Sequence, residues 1–184
     1  MPVTSRKVVR TGIAQFFGGT TYDKAARAYR GSGPLLSYGL SSVRAYQPKR
    51  LSDVDYVKGQ AAGRGMGAYM IVELGSDVET RRTVPAVTGR KRVTYSATLH
   101  VYHLAHQPHA EDAEADVDEL LDGIKDLIHE DPTLGANTFL TGVYQAGENN
   151  YGIRTRIYPS TLLKDEILAS YATVQFEAEV EIIA

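Results

Sequence analysis

The chain has 184 residues, 43% hydrophobic and 23% charged, with a net charge of −2, the proportions of one globular domain long enough to bury a core. It contains no cysteine, which excludes disulfides, thiol nucleophiles, CxxC redox chemistry and cysteine zinc sites. No apolar run approaches the roughly 18 residues of a membrane-crossing helix. The start, Met1-Pro2-Val3-Thr4-Ser5-Arg6-Lys7, lacks the apolar core and cleavage site of a signal peptide, so neither membrane insertion nor export by that route is expected.

The first predicted element is an amphipathic helix in which Val9, Ile13, Phe16 and Phe17 share a face and Arg6, Lys7 and Arg10 lie off it. Thr4 or Ser5 is placed to cap it, and Gly18-Gly19 stops it. A second short helix is expected from Thr21 to Arg30, ended by Gly31-Ser32-Gly33-Pro34. Residues 35–67 read as an extended, glycine-rich loop region with a short strand at Val43 to Tyr46; the run Gly63-Arg64-Gly65-Met66-Gly67 is expected to be mobile.

From residue 68 the period changes to two. Ala68 to Leu74 reads as an apolar strand, Gly75-Ser76 as a turn, and Val78 to Val84 as its hairpin partner. Val93 to Ala105 alternates, with Val93, Tyr95, Ala97, Leu99 and Val101 on one side and Thr94, Ser96, Thr98 and His100 on the other. Residues 110–130 fit a helix best: Ala113, Val117, Leu120, Leu121, Ile124, Leu127 and Ile128 form its apolar face. Its opposite face is almost wholly acidic, and Asp131-Pro132 closes it. Phe139 to Gln145 and Gly152 to Tyr158 read as neighbouring strands across a Gly147-Asn150 turn, Leu162 to Leu168 as a short helical excursion, and Tyr171 to Ile183 as a strand. In that last strand Ala172, Val174, Phe176, Ala178, Val180 and Ile182 face inward, and its outward glutamates discourage edge pairing. The sum is one α+β domain over residues 1–184, an antiparallel or mixed sheet with helices on one face: N-terminal helices in 1–34, the loop region in 35–67, and the sheet with its acidic helix in 68–184.

Chemistry-bearing residues are numerous but not gathered. His100, His103, His106 and His109 recur every third position, a tempting metal pattern. On a strand, however, His100 and His103 point to opposite faces, and histidines at a strand end and loop explain them better. The glycine-rich run lacks the Lys-Ser/Thr of a phosphate loop and precedes a strand instead of following one. Nine acids on an open helical face are a solvated surface, not a pair of carboxylates with split environments. No catalytic signature appears, so no enzyme activity and no cofactor or metal are expected. A small-molecule-binding or enzymatic α+β domain remains the alternative of another class, and would require a pocket with converging polar groups.

Charge is divided by sequence: residues 1–92 carry a net +10 and residues 93–184 a net −12. Such blocks suit two solvated faces, or a head-to-tail contact in which the basic surface of one copy meets the acidic surface of the next; contacts of that type close into rings. A basic half also suits nucleic acid, but no aromatic-basic stacking motif accompanies it.

The second half resembles the tail terminator, or tail completion, proteins of long-tailed bacteriophages. The residues that carry the likeness are Ala97-Thr98-Leu99-His100-Val101-Tyr102-His103, the helix with Val117-Asp118-Glu119-Leu120-Leu121-Asp122-Gly123-Ile124, and the stop Asp131-Pro132-Thr133-Leu134-Gly135. A strand at Val143-Tyr144 and the closing strand Tyr171 to Val180 complete the pattern over residues 93–184. The resemblance implies a virion protein assembled in host cytoplasm: a homo-oligomeric ring, usually of six copies, that caps the tail tube and docks the head-closure or neck protein. Genomic DNA would pass through its channel without specific binding. A head-closure protein, neck protein or tail tube subunit is the nearest alternative. The residues expected at subunit interfaces or lining the channel are Asp118, Asp122 and Asp126 on the acidic helix, with Arg64, Arg81 and Arg82 as basic counterparts.

Overall fold

Two 17-residue strands, β5 (Arg90–His106) and β8 (Ile167–Ile183), pair antiparallel along their whole length, from Arg90 opposite Ile183 to His106 opposite Ile167. They are the spine of the computed structural model, which describes residues 6–19, 21–23, 28–30, 33–46, 67–81, 90–106, 110–135, 142–144, 152–162 and 167–183. On one side of the spine lie β4 (Ala68–Arg81), antiparallel to β5, and then β3 (Leu40–Arg44), parallel to β4. On the other side β6 (Gly142–Tyr144) and β7 (Arg154–Leu162) both pair with β8. The result is a six-stranded mixed sheet, and with the α-helices that cover it the chain is α+β.

Strand alternation decides which side chains meet the helices. Ala68, Met70, Val72 and Leu74 of β4, Val93, Tyr95, Ala97, Leu99 and Val101 of β5, and Ala172, Val174, Phe176, Ala178 and Val180 of β8 are all buried on one face. Helix α1 (Arg6–Phe16) covers this face over β3 and β4 with Val9 and Ile13, and helix α2 (Ala110–Glu130) covers it over β5 and β8 with Val117, Leu120, Leu121, Ile124 and Ile128. The expected apolar faces of both helices are the ones that pack. Burying a Leu or Ile side chain of this kind is worth roughly 1.5–3 kcal/mol, so the two helical stripes are major contributors to the core.

Helix ends follow local chemistry. Gly18, at φ 100°, takes the left-handed conformation that ends α1, and its backbone lies so near Gly33 that a Cβ on Gly33 would sit 2.8 Å from the Gly18 Cα. At the end of α2 the Asp131 carboxylate accepts hydrogen bonds from the Thr133 amide (2.9 Å), the Thr133 hydroxyl and the Gly135 amide (2.8 Å). That cage holds Leu134 and Gly135 at positive φ and turns Leu134 into the core. These same bonds, led by the Thr133 hydroxyl, hold the Asp131 carboxyl below its ordinary pKa.

Several expectations are corrected. Thr21 to Arg30 is not a helix: Thr21–Asp23 (β1) and Ala28–Arg30 (β2) pair antiparallel, with Tyr22 opposite Tyr29. Tyrosine favours strands, and ten residues are too few for a helix to hold without packing. Pro34–Tyr38 forms a 3-10 turn, placing Leu35 in the core where the sequence suggests a loop, and the short strand expected at Val43 to Tyr46 runs earlier, over Leu40–Arg44, with Leu40 and Val43 buried. Residues 47–66, with the glycine-rich run before Gly67, lie outside the described residues.

Gly75-Ser76 is not a turn. Leu74 sits opposite Ala97 and Asp77 opposite Tyr95, so two residues of β4 face the single Ser96, a bulge within one continuous strand. Likewise β6 and β7 do not pair with each other; they follow one another along the same edge of β8. At the ends of the expected helical excursion, Leu162, Ile167 and Leu168 are strand residues, with Leu162 opposite Leu168; residues 163–166 lie outside the described residues. Glu177 and Glu179 of β8 do not guard an edge, because β5 and β6 flank the strand there, and Glu179 is buried and paired with Arg92.

Candidate functional site

Two surfaces carry concentrated chemistry. The first is the outward side of α2. Helical spacing aligns Glu114, Asp118, Asp122, Asp126 and Glu130 at steps of four, and all five are exposed. Residues four apart on a helix are neighbours, so each successive pair in this stripe is a repulsive contact. Lys125 answers Asp122 at i,i+3 and is the single lysine or arginine in the helix. Asp118, Asp122 and Asp126 therefore stand together as expected. Of their expected basic counterparts, Arg64 and Arg82 lie outside the described residues, and of Arg81 only the backbone is described, at the end of β4 opposite Lys91.

The second surface is the face of the sheet that no helix covers among the described residues. Strand register aligns Tyr69 (β4), Tyr102 (β5), Tyr171 (β8) and Tyr158 (β7) in one row across four strands. Neighbouring ring centroids are 4.7, 4.8 and 4.8 Å apart along the row, within the range of favourable aromatic pairs. The Arg156 guanidinium lies over the outermost ring, 4.8 Å from the Tyr158 centroid. Stacked on one another, the rings give their faces to each other and present edges and hydroxyls outward. That geometry disfavours the row as a base-stacking platform, which needs open ring faces. Burial raises the pKa of Tyr69, Tyr102 and Tyr171, so the hydroxyls stay protonated throughout the ordinary pH range.

Beside the row sits a carboxylate–imidazole–phenol chain. His100 Nε2 is 2.6 Å from Glu73 Oε2, and His100 Nδ1 is 2.6 Å from the Tyr171 hydroxyl. With the neutral ring donating from Nε2 to the carboxylate, Nδ1 accepts the phenol proton, which makes all three groups mutually satisfied. The Glu73 side chain is 55% exposed, and the chain of groups lies on an open surface, where it ties β4, β5 and β8 together across the bare face. Sequence reasoning missed both this trio and the tyrosine row. The available signal was the excess of Tyr over Phe, 12 against 4, but which tyrosines align depends on register between strands far apart in sequence.

Of the histidines spaced by three, His100 is on the bare face and His103 on the helix-covered face, as strand alternation requires. His103 is buried, and burial pushes its imidazole below the ordinary pKa against a smaller opposing pull from Asp116. The side chains of His106 and His109 lie outside the described residues. Among the described residues no helix is long and apolar enough to cross a membrane. No protein-family model matches the chain, and no curated protein matches it.

Proposed function

We propose that the protein is a structural subunit of a tailed-phage particle, the tail terminator, which assembles head to tail into a ring of about six copies. The ring caps the tail tube, docks the head-closure or neck protein, and leaves a channel through which genomic DNA slides without specific binding. One observation carries the reading: the stripe from Glu114 to Glu130 is exposed, runs the length of α2, and is answered within the helix by a single lysine. Within a lone subunit such a stripe is a net electrostatic cost. It makes sense against the basic half of a neighbouring copy, or as a wall that DNA must pass without sticking. The strand–helix–stop–strand order of residues 93–184, similar to that of tail terminators, supports the same reading.

The test is a charge-reversal series at Asp118, Asp122 and Asp126, with particle mass, negative-stain imaging and infectivity as readouts. The reading expects discrete rings from the unaltered chain and impaired assembly or infectivity in the series. Unchanged assembly and infectivity would sink it. Long polymers in place of rings would point to a tail tube subunit.

A further inference from the structure

We propose that the groove between the first half of α2 and the edge strand β7 seats a basic segment from residues 1–92 of a second copy of this chain. The inference rests on the ring reading and names the surface through which the ring closes.

The groove follows from the sheet order. Helix α2 packs over β5 and β8, but β7 lies one strand further out, beyond the helix. A space of about 310 Å³ opens between them, with Glu114, Val117 and Asp118 on the helix side and Ile157, Pro159 and Ser160 on the strand side. Strand register puts Ile157 opposite Ala172, on the face that is buried everywhere else in the sheet's centre, yet Ile157 is 52% exposed. Leu162, nearby on the same strand, is 57% exposed. Seven of the nine β7 residues are exposed, and no strand pairs with its outer edge among the described residues, leaving main-chain donors and acceptors for an incoming segment.

Chemistry selects the occupant. The charged lining is two carboxylates, with no basic residue among the described residues of the groove, so DNA and acidic ligands are disfavoured there. Two carboxylates beside an isoleucine and a proline are a poor cation cage, since hard cations take six or more oxygens or keep much of their water. An extended segment with both basic and apolar side chains satisfies wall and floor together. The chain itself supplies one, because residues 1–92 hold 16 Lys and Arg against 6 Asp and Glu.

The chain has no cysteine, so Ile157→Cys gives one attachment point for a thiol-linked photocrosslinker on the full-length protein. Irradiation of the assembled particle is expected to join the labelled position to residues 1–92 of a different copy, mapped by peptide mass spectrometry. Independently, Ile157→Asp and the double variant Glu114→Lys, Asp118→Lys are each expected to raise the concentration needed for assembly about tenfold or more, with the monomer still cooperatively folded. A ring whose cross-links fall in residues 93–184, or whose assembly is unmoved by both variants, overturns the groove and leaves the ring reading standing. A chain that stays monomeric at every concentration overturns both.

Discussion

Asp122 occupies the middle of the acidic stripe, and its replacement by lysine separates the stability of the subunit from its assembly. Asp118 and Asp126 flank it at four-residue steps, and its carboxylate is 69% exposed, paired with Lys125. A like-charge pair at this spacing costs about 0.2–0.5 kcal/mol and an opposite-charge pair returns about as much. Asp122→Lys turns two repulsions into two attractions, a swing of about 0.8–2 kcal/mol, and turns the Lys125 pair from an attraction into a repulsion, a loss of about 0.4–1 kcal/mol. The net is a subunit more stable by about 0.4–1 kcal/mol, or roughly 1–4 °C in Tm for a domain of this size. The measurement is thermal unfolding by circular dichroism in low salt, at a concentration below that of assembly so that association does not contribute. At 1 M salt, where the screening length falls to about 3 Å, the gain should largely vanish. A Tm that falls or stays put in low salt would refute the claim that the stripe repels itself, and a gain that survives 1 M salt would assign it to packing. Run alongside sedimentation, the same variant should lose assembly while gaining stability; keeping both would remove the stripe from the subunit contact.

His103 predicts a pH dependence: its folded pKa lies below the ordinary 6.5 because burial disfavours the charged ring, so the full stability it permits is present above that value and declines as pH falls below it. The difference in unfolding free energy between the native chain and His103→Leu, measured from pH 8 to 5, should change in that direction, and a flat difference would show the imidazole to be solvated. Asp131 acts lower on the scale: its depressed pKa contributes stability above the ordinary 3.8 that is lost as pH falls through the folded value, and Asp131→Ala should remove that part of the acid transition. Gly123 sits in α2 with the Tyr38 ring 3.1–3.3 Å from where a Cβ would be. Gly123→Ala should gain little alone, because the helix preference of about 1 kcal/mol is offset by displacing the ring, but should stabilise a Tyr38→Ala background by nearly that amount; equal effects in both backgrounds would deny the contact. Arg6 reaches from α1 to the β4 bulge, bonding the Asp77 carboxylate and the carbonyls of Leu74 and Gly75, so Arg6→Ala should speed amide exchange at residues 74–77 with a stability loss of about 0.5–1.5 kcal/mol.

Local pattern was enough wherever one period ran long. Helix α2 spans the expected residues with the expected buried face, because 21 residues carry the 3.6-residue repeat without interruption. Strand β5 keeps its inward set, and β8 keeps its own from Ala172 to Val180, for the same reason at period two. Short segments were ambiguous: Gly75-Ser76 has the composition of a turn, and only the partner strand, running on past it, makes it a bulge. The bulge reverses the alternation after Leu74, so Asp77 lands on the helix-covered face within reach of Arg6, and Val78 is left 63% exposed. The acidic candidates Asp118, Asp122 and Asp126 were legible because a helix aligns residues by sequence distance, whereas the counterparts Arg64, Arg81 and Arg82 belong to no long repeat.

By itself the sequence determined the fold class, the two helix faces, the inward residues of the long strands and the acidic stripe, since each depends on spacing within one element. Only the tertiary structure decided which strand is an edge, which tyrosines form the row, that His100 meets Glu73 and Tyr171, and that a groove is left beside Ile157. Those features are set by register and layer order between segments distant in sequence; His100 and Tyr171 are 71 residues apart. Side-chain periodicity says which way a residue points, but pairing across the sheet determines what it meets.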